Sequence, residues 1–195
     1  INLFFPFTML QTIYYYPLIA GILAIIFLFL LINLIFEWKI ALLSSFFYVI
    51  SPFIEKVIDK QAIGIFLFFL TLYFFILTFK SEKYIYYSLL AGLTLGIFAL
   101  LWGGAGFLFL IFGLFMLILF LFNKTGKKEI IVYSIMIFSA SVLMLGFSTK
   151  YADILSPQII TLPEMIIAYF PFLLFGVHRI VRKSRFLTLG IAAVV

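Results

Sequence analysis

Long apolar stretches separated by short polar turns run through the whole chain and predict membrane-spanning helices. An α-helix needs roughly 20 apolar residues to cross a bilayer. Stretches near that length cover residues 15–36, 40–54, 61–79, 84–102, 104–122, 130–147 and 165–181, and another starts near 186. The sequence therefore predicts an all-α fold, a polytopic transmembrane helical bundle with about seven complete spans and an eighth that Val195 cuts off.

The distribution of lysine and arginine among the turns predicts which end of the bundle faces the cytoplasm. Ten of the 13 basic residues fall in one set of alternate turns: Lys39, Lys80, Lys83, Lys124, Lys127, Lys128, Arg179, Arg182, Lys183 and Arg185. The other set holds Lys56, Lys60 and Lys150. Because basic residues favour the cytoplasmic side, the first set is predicted to be cytoplasmic. Asp59, Trp102 and the 148–164 loop are then external.

Composition excludes several classes of protein. With 67% hydrophobic and 10% charged residues, the chain is no soluble globular domain. It contains no cysteine, which excludes disulfides and thiolate metal sites, and one histidine, His178. The net charge of +6 comes from basic residues in the turns, where they set topology, so no nucleic-acid partner is expected. The expected partner is membrane lipid.

Candidate metal chemistry lies at the start of the third apolar stretch. Asp59 opens the run Asp59-Lys60-Gln61-Ala62-Ile63-Gly64-Ile65-Phe66. Mg²⁺ prefers oxygen ligands, often one or two carboxylates with substrate phosphates, so Asp59 and the Gln61 side-chain carbonyl can supply part of such a shell. Alternatively Asp59 caps the N-terminus of the third helix, where aspartate is favoured. The two roles are compatible.

Two glycine motifs predict local structure. Gly103-Gly104 after Trp102 predicts a tight turn between the fourth and fifth spans. Trp102 itself is a residue type enriched at the bilayer interface. Gly92 and Gly96 lie one turn apart on a single helix face, which predicts close packing of two helices.

Taken together, residues 15–180 resemble the membrane domain of the catalytic subunit of oligosaccharyltransferase, most closely its archaeal forms. The match runs through Ser51-Pro52, Asp59 to Phe66, Leu90-Ala91-Gly92-Leu93-Thr94 and Trp102-Gly103-Gly104. The resemblance implies a GT-C bundle and an enzyme that transfers an oligosaccharide from a dolichyl phosphate or diphosphate carrier to Asn of Asn-x-Ser/Thr in an acceptor protein. It also implies a plasma-membrane location in an archaeal-type cell.

The same resemblance implies a cofactor and one of its ligands. Mg²⁺ or Mn²⁺ assists the family's reaction, and Asp59 aligns with a metal-binding aspartate. Gln61 stands where the family usually has Asp or Glu, and the loop predicted over residues 53–58 is shorter than the family's. No catalytic residue is identified beyond these.

Both ends of the chain lie inside apolar sequence, so we expect residues 1–195 to be a single transmembrane domain truncated at both ends and inactive alone. Two other functions stay open. One is a polytopic transporter or channel subunit, against which the near absence of charges within the spans argues. The other is a non-catalytic membrane scaffold.

Overall fold

The computed structural model describes residues 9–51, 53–102, 104–122, 124–148 and 168–176, without the side chains of 9–14, 53–61, 147 and 148. Every regular element in these ranges is a helix. The helices are α1 (Met9–Ile35), α2 (Trp38–Ile50), α3 (Phe53–Lys80), α4 (Tyr84–Leu101), α5 (Ala105–Leu121), α6 (Lys127–Ser148) and α7 over residues 168–176. The predicted all-α bundle is confirmed.

Within the described residues, fewer helices reach spanning length than the apolar stretches predict, and the predicted span over 165–181 is described only over 168–176. Four apolar segments in the described ranges have the length to cross a bilayer: Tyr15–Ile35, Ala62–Lys80, Tyr84–Leu101 and Lys127–Gly146. α2 has 13 residues and α5 has 17. At 1.5 Å per residue they rise about 20 and 26 Å, short of a hydrocarbon core of roughly 30 Å. The predicted eighth span lies outside the described residues.

The connection between α2 and α3 differs most from the prediction. The second apolar stretch was expected to reach residue 54, but α2 ends at Ile50 and α3 begins at Phe53. The predicted loop over 53–58 is therefore helical. Asp59 lies inside α3 rather than at its N-cap, so the capping interpretation is wrong. α3 has 28 residues and is about 42 Å long, so its first two turns precede the apolar segment.

Lysine contacts show which turns share an end of the bundle. The Lys80 ammonium at the end of α3 donates a hydrogen bond to the Leu34 carbonyl at the end of α1. The Lys128 ammonium at the start of α6 donates to the Phe79 carbonyl at 3.4 Å and lies 5.3 Å from the Tyr84 ring centre. We call this end, with the α1–α2, α3–α4 and α5–α6 turns, the lysine end. The predicted grouping of these turns is confirmed.

The core lies between α3, α4, α5 and α6. Leu108, Phe109, Phe112 and Met116 of α5 are fully buried, and the Phe75 ring of α3 lies 4.5 Å from the Phe112 ring. By contrast, α1 and α2 present large apolar side chains that are about half exposed. An apolar surface of that extent is typical of a membrane-facing helix.

Close packing of α4 on α6 depends on the two predicted glycines. A Cβ atom at Gly92 would lie 1.8 Å from the Ser139 Oγ, and one at Gly96 would lie 3.1 Å from the Ala140 carbonyl oxygen. The absence of side chains lets the two helix backbones approach each other. The predicted packing role of this glycine pair is confirmed.

Candidate functional site

The helical backbone fixes the relative positions of the polar residues at the start of α3. Asp59 lies in the second turn of the helix, and Glu55 lies four residues earlier, so the two positions share a helix face. Gln61 follows Asp59 by two residues, which is a rotation of about 200° around the axis. Their side chains are outside the described part, so a joint metal site of Asp59 and Gln61 stays a prediction, and the helical spacing argues against it.

The turn between α4 and α5 is built around Trp102. The Trp102 amide donates to the Phe98 carbonyl at 2.9 Å and ends α4, after which the Trp102 backbone becomes extended (φ −146°, ψ 127°). The Ala105 amide then donates to the Trp102 carbonyl at 3.2 Å, closing the chain into a turn. The predicted tight turn is confirmed.

Gly104 has an ordinary right-handed backbone (φ −71°, ψ −5°), so conformational freedom is not what requires glycine there. Space is the reason. A Cβ at Gly104 would lie 2.6 Å from Trp102 Cζ3 and 2.8 Å from Cε3. The indole ring therefore lies directly against the turn that follows it.

The Trp102 ring also contacts α3. A Cβ at Gly64 would lie 3.0 Å from Trp102 Cδ2 and 3.1 Å from Cγ, and the Phe98 ring centre lies 5.2 Å away. Trp102 is thus a packed, half-buried residue as well as a residue near a helix end. Because Gly64 belongs to the run that Asp59 opens, the structure brings the two predicted motifs to the same end of the bundle, opposite the lysine end.

An apolar cavity of about 390 Å³ lies beside this contact. Its lining comes from α2, α3, the Trp102 turn and α5: Tyr48, Ile65, Phe68, Phe69, Trp102, Gly104 and Phe107. Sequence reasoning identified Trp102 and Gly104 but missed the rest, because a Phe-rich chain gives no local signal of which rings face a cavity. A surface of this composition suits a hydrocarbon chain.

Among residues with described side chains, no three of His, Cys, Asp or Glu lie close enough to hold a metal ion together. Asp59, Glu55 and Gln61 are outside that set. The predicted metal site is therefore neither supported nor opposed by side-chain geometry.

A family model described as Oligosaccharyl transferase STT3, N-terminal, matches residues 1–191. The chain belongs to the oligosaccharyl transferase STT3 family. It matches no curated protein and no solved structure. Membership in the STT3 family confirms the resemblance found in the motifs, and it implies an integral membrane protein of protein N-glycosylation whose substrates are a lipid-linked oligosaccharide and an acceptor protein.

The STT3 match also covers both motifs at the candidate site. Asp59 and Trp102 both fall within the matched residues, and the contact of Trp102 with Gly64 links the helix that carries Asp59 to the Trp-Gly-Gly turn. In this STT3-family chain the candidate site is accordingly the bundle end formed by the start of α3 and the α4–α5 turn.

Proposed function

We propose that this chain forms membrane-embedded machinery of an oligosaccharyltransferase catalytic subunit. The subunit transfers an oligosaccharide from a dolichyl phosphate or diphosphate carrier to Asn of Asn-x-Ser/Thr acceptors, on the external face of an archaeal-type plasma membrane. The observation that carries the proposal is the packing of Trp102 on Gly64, because it gathers the two family motifs at one end of the bundle. Family membership supports the type of reaction.

The residue types at the start of α3 support a role for a divalent cation, Mg²⁺ or Mn²⁺. Carboxylate oxygens are ligands that such hard cations prefer, and Asp59 and Glu55 occupy positions one turn apart on the same helix. We assign Asp59 as a ligand and Glu55 as the candidate for a second carboxylate. A bound cation would neutralise negative charge on the phosphate leaving group.

The cavity beside Trp102 supports a lipid-linked donor. Its lining is almost entirely apolar, so it offers a hydrocarbon chain the same kind of surroundings as the bilayer does. A polyisoprenoid carrier lying at this end of the bundle would present its phosphate towards the first turns of α3.

Substitution of Asp59 tests the proposal. In the full-length protein, Asp59→Asn removes a charged metal ligand at nearly constant volume. We expect it to lower glycopeptide formation from a lipid-linked oligosaccharide by roughly tenfold or more, on the scale seen when metal sites lose a supporting group. Added Mn²⁺ should partly restore the rate, because a weakened site fills at higher metal concentration.

Glu82→Gln is the matched control, since Glu82 is exposed in the α3–α4 turn at the lysine end. It also removes one carboxylate and should leave transfer and its Mn²⁺ dependence unchanged. Equal transfer by Asp59→Asn and the parent protein at limiting Mn²⁺ would contradict the role of Asp59. Metal-independent flux of a solute through vesicles containing the protein would instead favour a transporter.

A further inference from the structure

The Trp102 indole packs against two glycines that come from different elements. Gly64 is a buried residue of α3, and Gly104 belongs to the α4–α5 turn. A Cβ on Gly64 would lie 3.0–3.2 Å from Trp102 Cδ2, Cγ and Cε3, and one on Gly104 would lie 2.6–2.8 Å from Cζ3, Cε3 and Cη2. We call this arrangement the tryptophan clamp. This packing depends on the absence of a side chain at both glycines.

The clamp lies close to Asp59 along a continuous helix. Gly64 follows Asp59 by five positions, which is a rise of about 7.5 Å along the helix axis. α3 is helical throughout that interval. A hydrogen-bonded helix moves as a unit over so short a distance, so a shift of α3 at Gly64 also shifts position 59 relative to the α4–α5 turn.

A short connection joins the start of α3 to α2. α2 ends at Ile50 and α3 begins at Phe53, so a two-residue connection joins helices of opposite direction. The first two turns of α3 also precede its apolar segment, which begins at Ala62. The contact with Trp102, at Gly64, lies two residues into that apolar segment.

We propose that Trp102, packed against Gly64 and Gly104, is a positioning residue that sets the place of Asp59 relative to the α4–α5 turn and thereby tunes metal binding. This proposal rests on the proposed function, since it assigns a purpose to the position of Asp59. Trp102 does not contact the metal in this account, and its place in the lining of the apolar cavity is a separate contact with the carrier's hydrocarbon chain. It acts through the helix that it contacts.

Gly64→Ala in the full-length protein tests the clamp, because its methyl group would push the indole and α3 apart. Mn²⁺ binding is measured in two ways: by the concentration giving half-maximal oligosaccharide transfer, and by the rise in unfolding temperature that Mn²⁺ produces in the purified protein. We expect Gly64→Ala to need about three- to tenfold more Mn²⁺ by both measures.

Gly96→Ala is the matched control. Gly96 is also a buried helical glycine, and its added Cβ would meet Ala140 and Leu143 atoms at 3.1–3.3 Å, nearly the same crowding as at Gly64. Its neighbour is α6 rather than Trp102. Both substitutions should lower stability without metal to a similar extent, whereas Gly96→Ala should leave the Mn²⁺ requirement unchanged.

A second variant keeps the test informative if Gly64→Ala packs poorly. Trp102→Phe shortens the ring and leaves room for the methyl group, so Gly64→Ala should raise the Mn²⁺ requirement less in the Trp102→Phe background than in the parent. Such non-additivity is expected of residues in direct contact.

The outcomes separate this proposal from the function on which it rests. Equal Mn²⁺ requirements for Gly64→Ala and Gly96→Ala, or strictly additive effects with Trp102→Phe, would overturn the positioning role and leave the metal role of Asp59 intact. An unchanged Mn²⁺ response in Asp59→Asn would overturn the proposed function, and the positioning role with it.

Discussion

Glycines in α4 and α6 differ greatly in what a side chain would meet. A Cβ at Gly92 would lie 1.8 Å from Ser139 Oγ and 2.4 Å from the Met136 carbonyl oxygen, whereas a Cβ at Gly146 would meet nothing within 4 Å. Gly92→Ala should destabilise the protein by about 1–3 kcal/mol, because backbone as well as side chain must move. Thermal unfolding in detergent micelles measures the difference.

Gly146→Ala is the control for that experiment. Alanine favours a helix over glycine by about 1 kcal/mol or less, and the site is open, so this variant should be as stable as the parent or slightly more so. If Gly92→Ala unfolded at the same temperature as Gly146→Ala, the close approach of α4 and α6 would be wrong.

Single residues also show what sequence can and cannot predict. Gly92 and Gly96 were identified in advance because their spacing places both on one face of one helix. Gly64 was not, since its partner Trp102 belongs to another helix and nothing local marks the pair. Gly104 was predicted to favour a turn, yet its backbone is ordinary and the Trp102 ring is what excludes a side chain. Tertiary contacts of this kind leave no periodic signal.

At the scale of an element, the N-terminus of α6 carries its own stabilising contact. The Gly126 amide donates to Glu129 Oε2 at 2.8 Å, which is the return half of a capping box, and the carboxylate also interacts favourably with the helix dipole. Glu129→Ala should therefore cost about 0.5–1 kcal/mol of stability. The amides at the start of α6 should exchange with solvent faster, as hydrogen-exchange mass spectrometry would detect.

Glu129→Gln separates the two contributions. Its amide oxygen can still accept the Gly126 hydrogen bond, but the charge is gone, so the loss should be smaller than for alanine. An alanine variant indistinguishable from the parent in both stability and exchange would show that α6 needs no cap.

Helix boundaries were predicted less well than the helices themselves. The apolar run starting after Gln61 located the third span, but α3 already begins at Phe53. The hydropathy pattern misses its first turns because they contain glutamate and lysines. Those residues lower hydropathy without opposing a helix, since Glu and Lys are good helix formers. A hydropathy pattern finds the part of a helix that lies in lipid and misses the part that extends beyond it.

At the scale of the whole molecule, the charge distribution and the packing describe the same two-ended bundle. Lys80 and Lys128 donate to carbonyls at the ends of α1 and α3, and such carbonyls lack partners within their own helices. The opposite end contains the start of α3 and the tryptophan clamp. Counting basic residues grouped the turns correctly without any knowledge of these contacts, because successive helices reverse the direction of the chain.

The prediction at this scale is the orientation of the two ends. The sequence contains no cysteine, so a single introduced thiol within these residues gives a clean signal over that of the parent protein. Asp153→Cys, in the predicted external loop outside the described residues, should react with a membrane-impermeant maleimide in intact cells. Glu82→Cys, exposed in a turn of the lysine end, should react only after the membrane is permeabilised.

The reverse labelling pattern would carry a consequence beyond topology. It would turn Asp59 and Trp102 towards the cytoplasm, and an oligosaccharide carried on the external leaflet would then lie about 30 Å or more from the proposed metal ligand. Transfer by this site would in that case require a donor on the inner leaflet. The labelling experiment therefore tests the sidedness of the reaction as well as that of the helices, and it does so without any assay of activity.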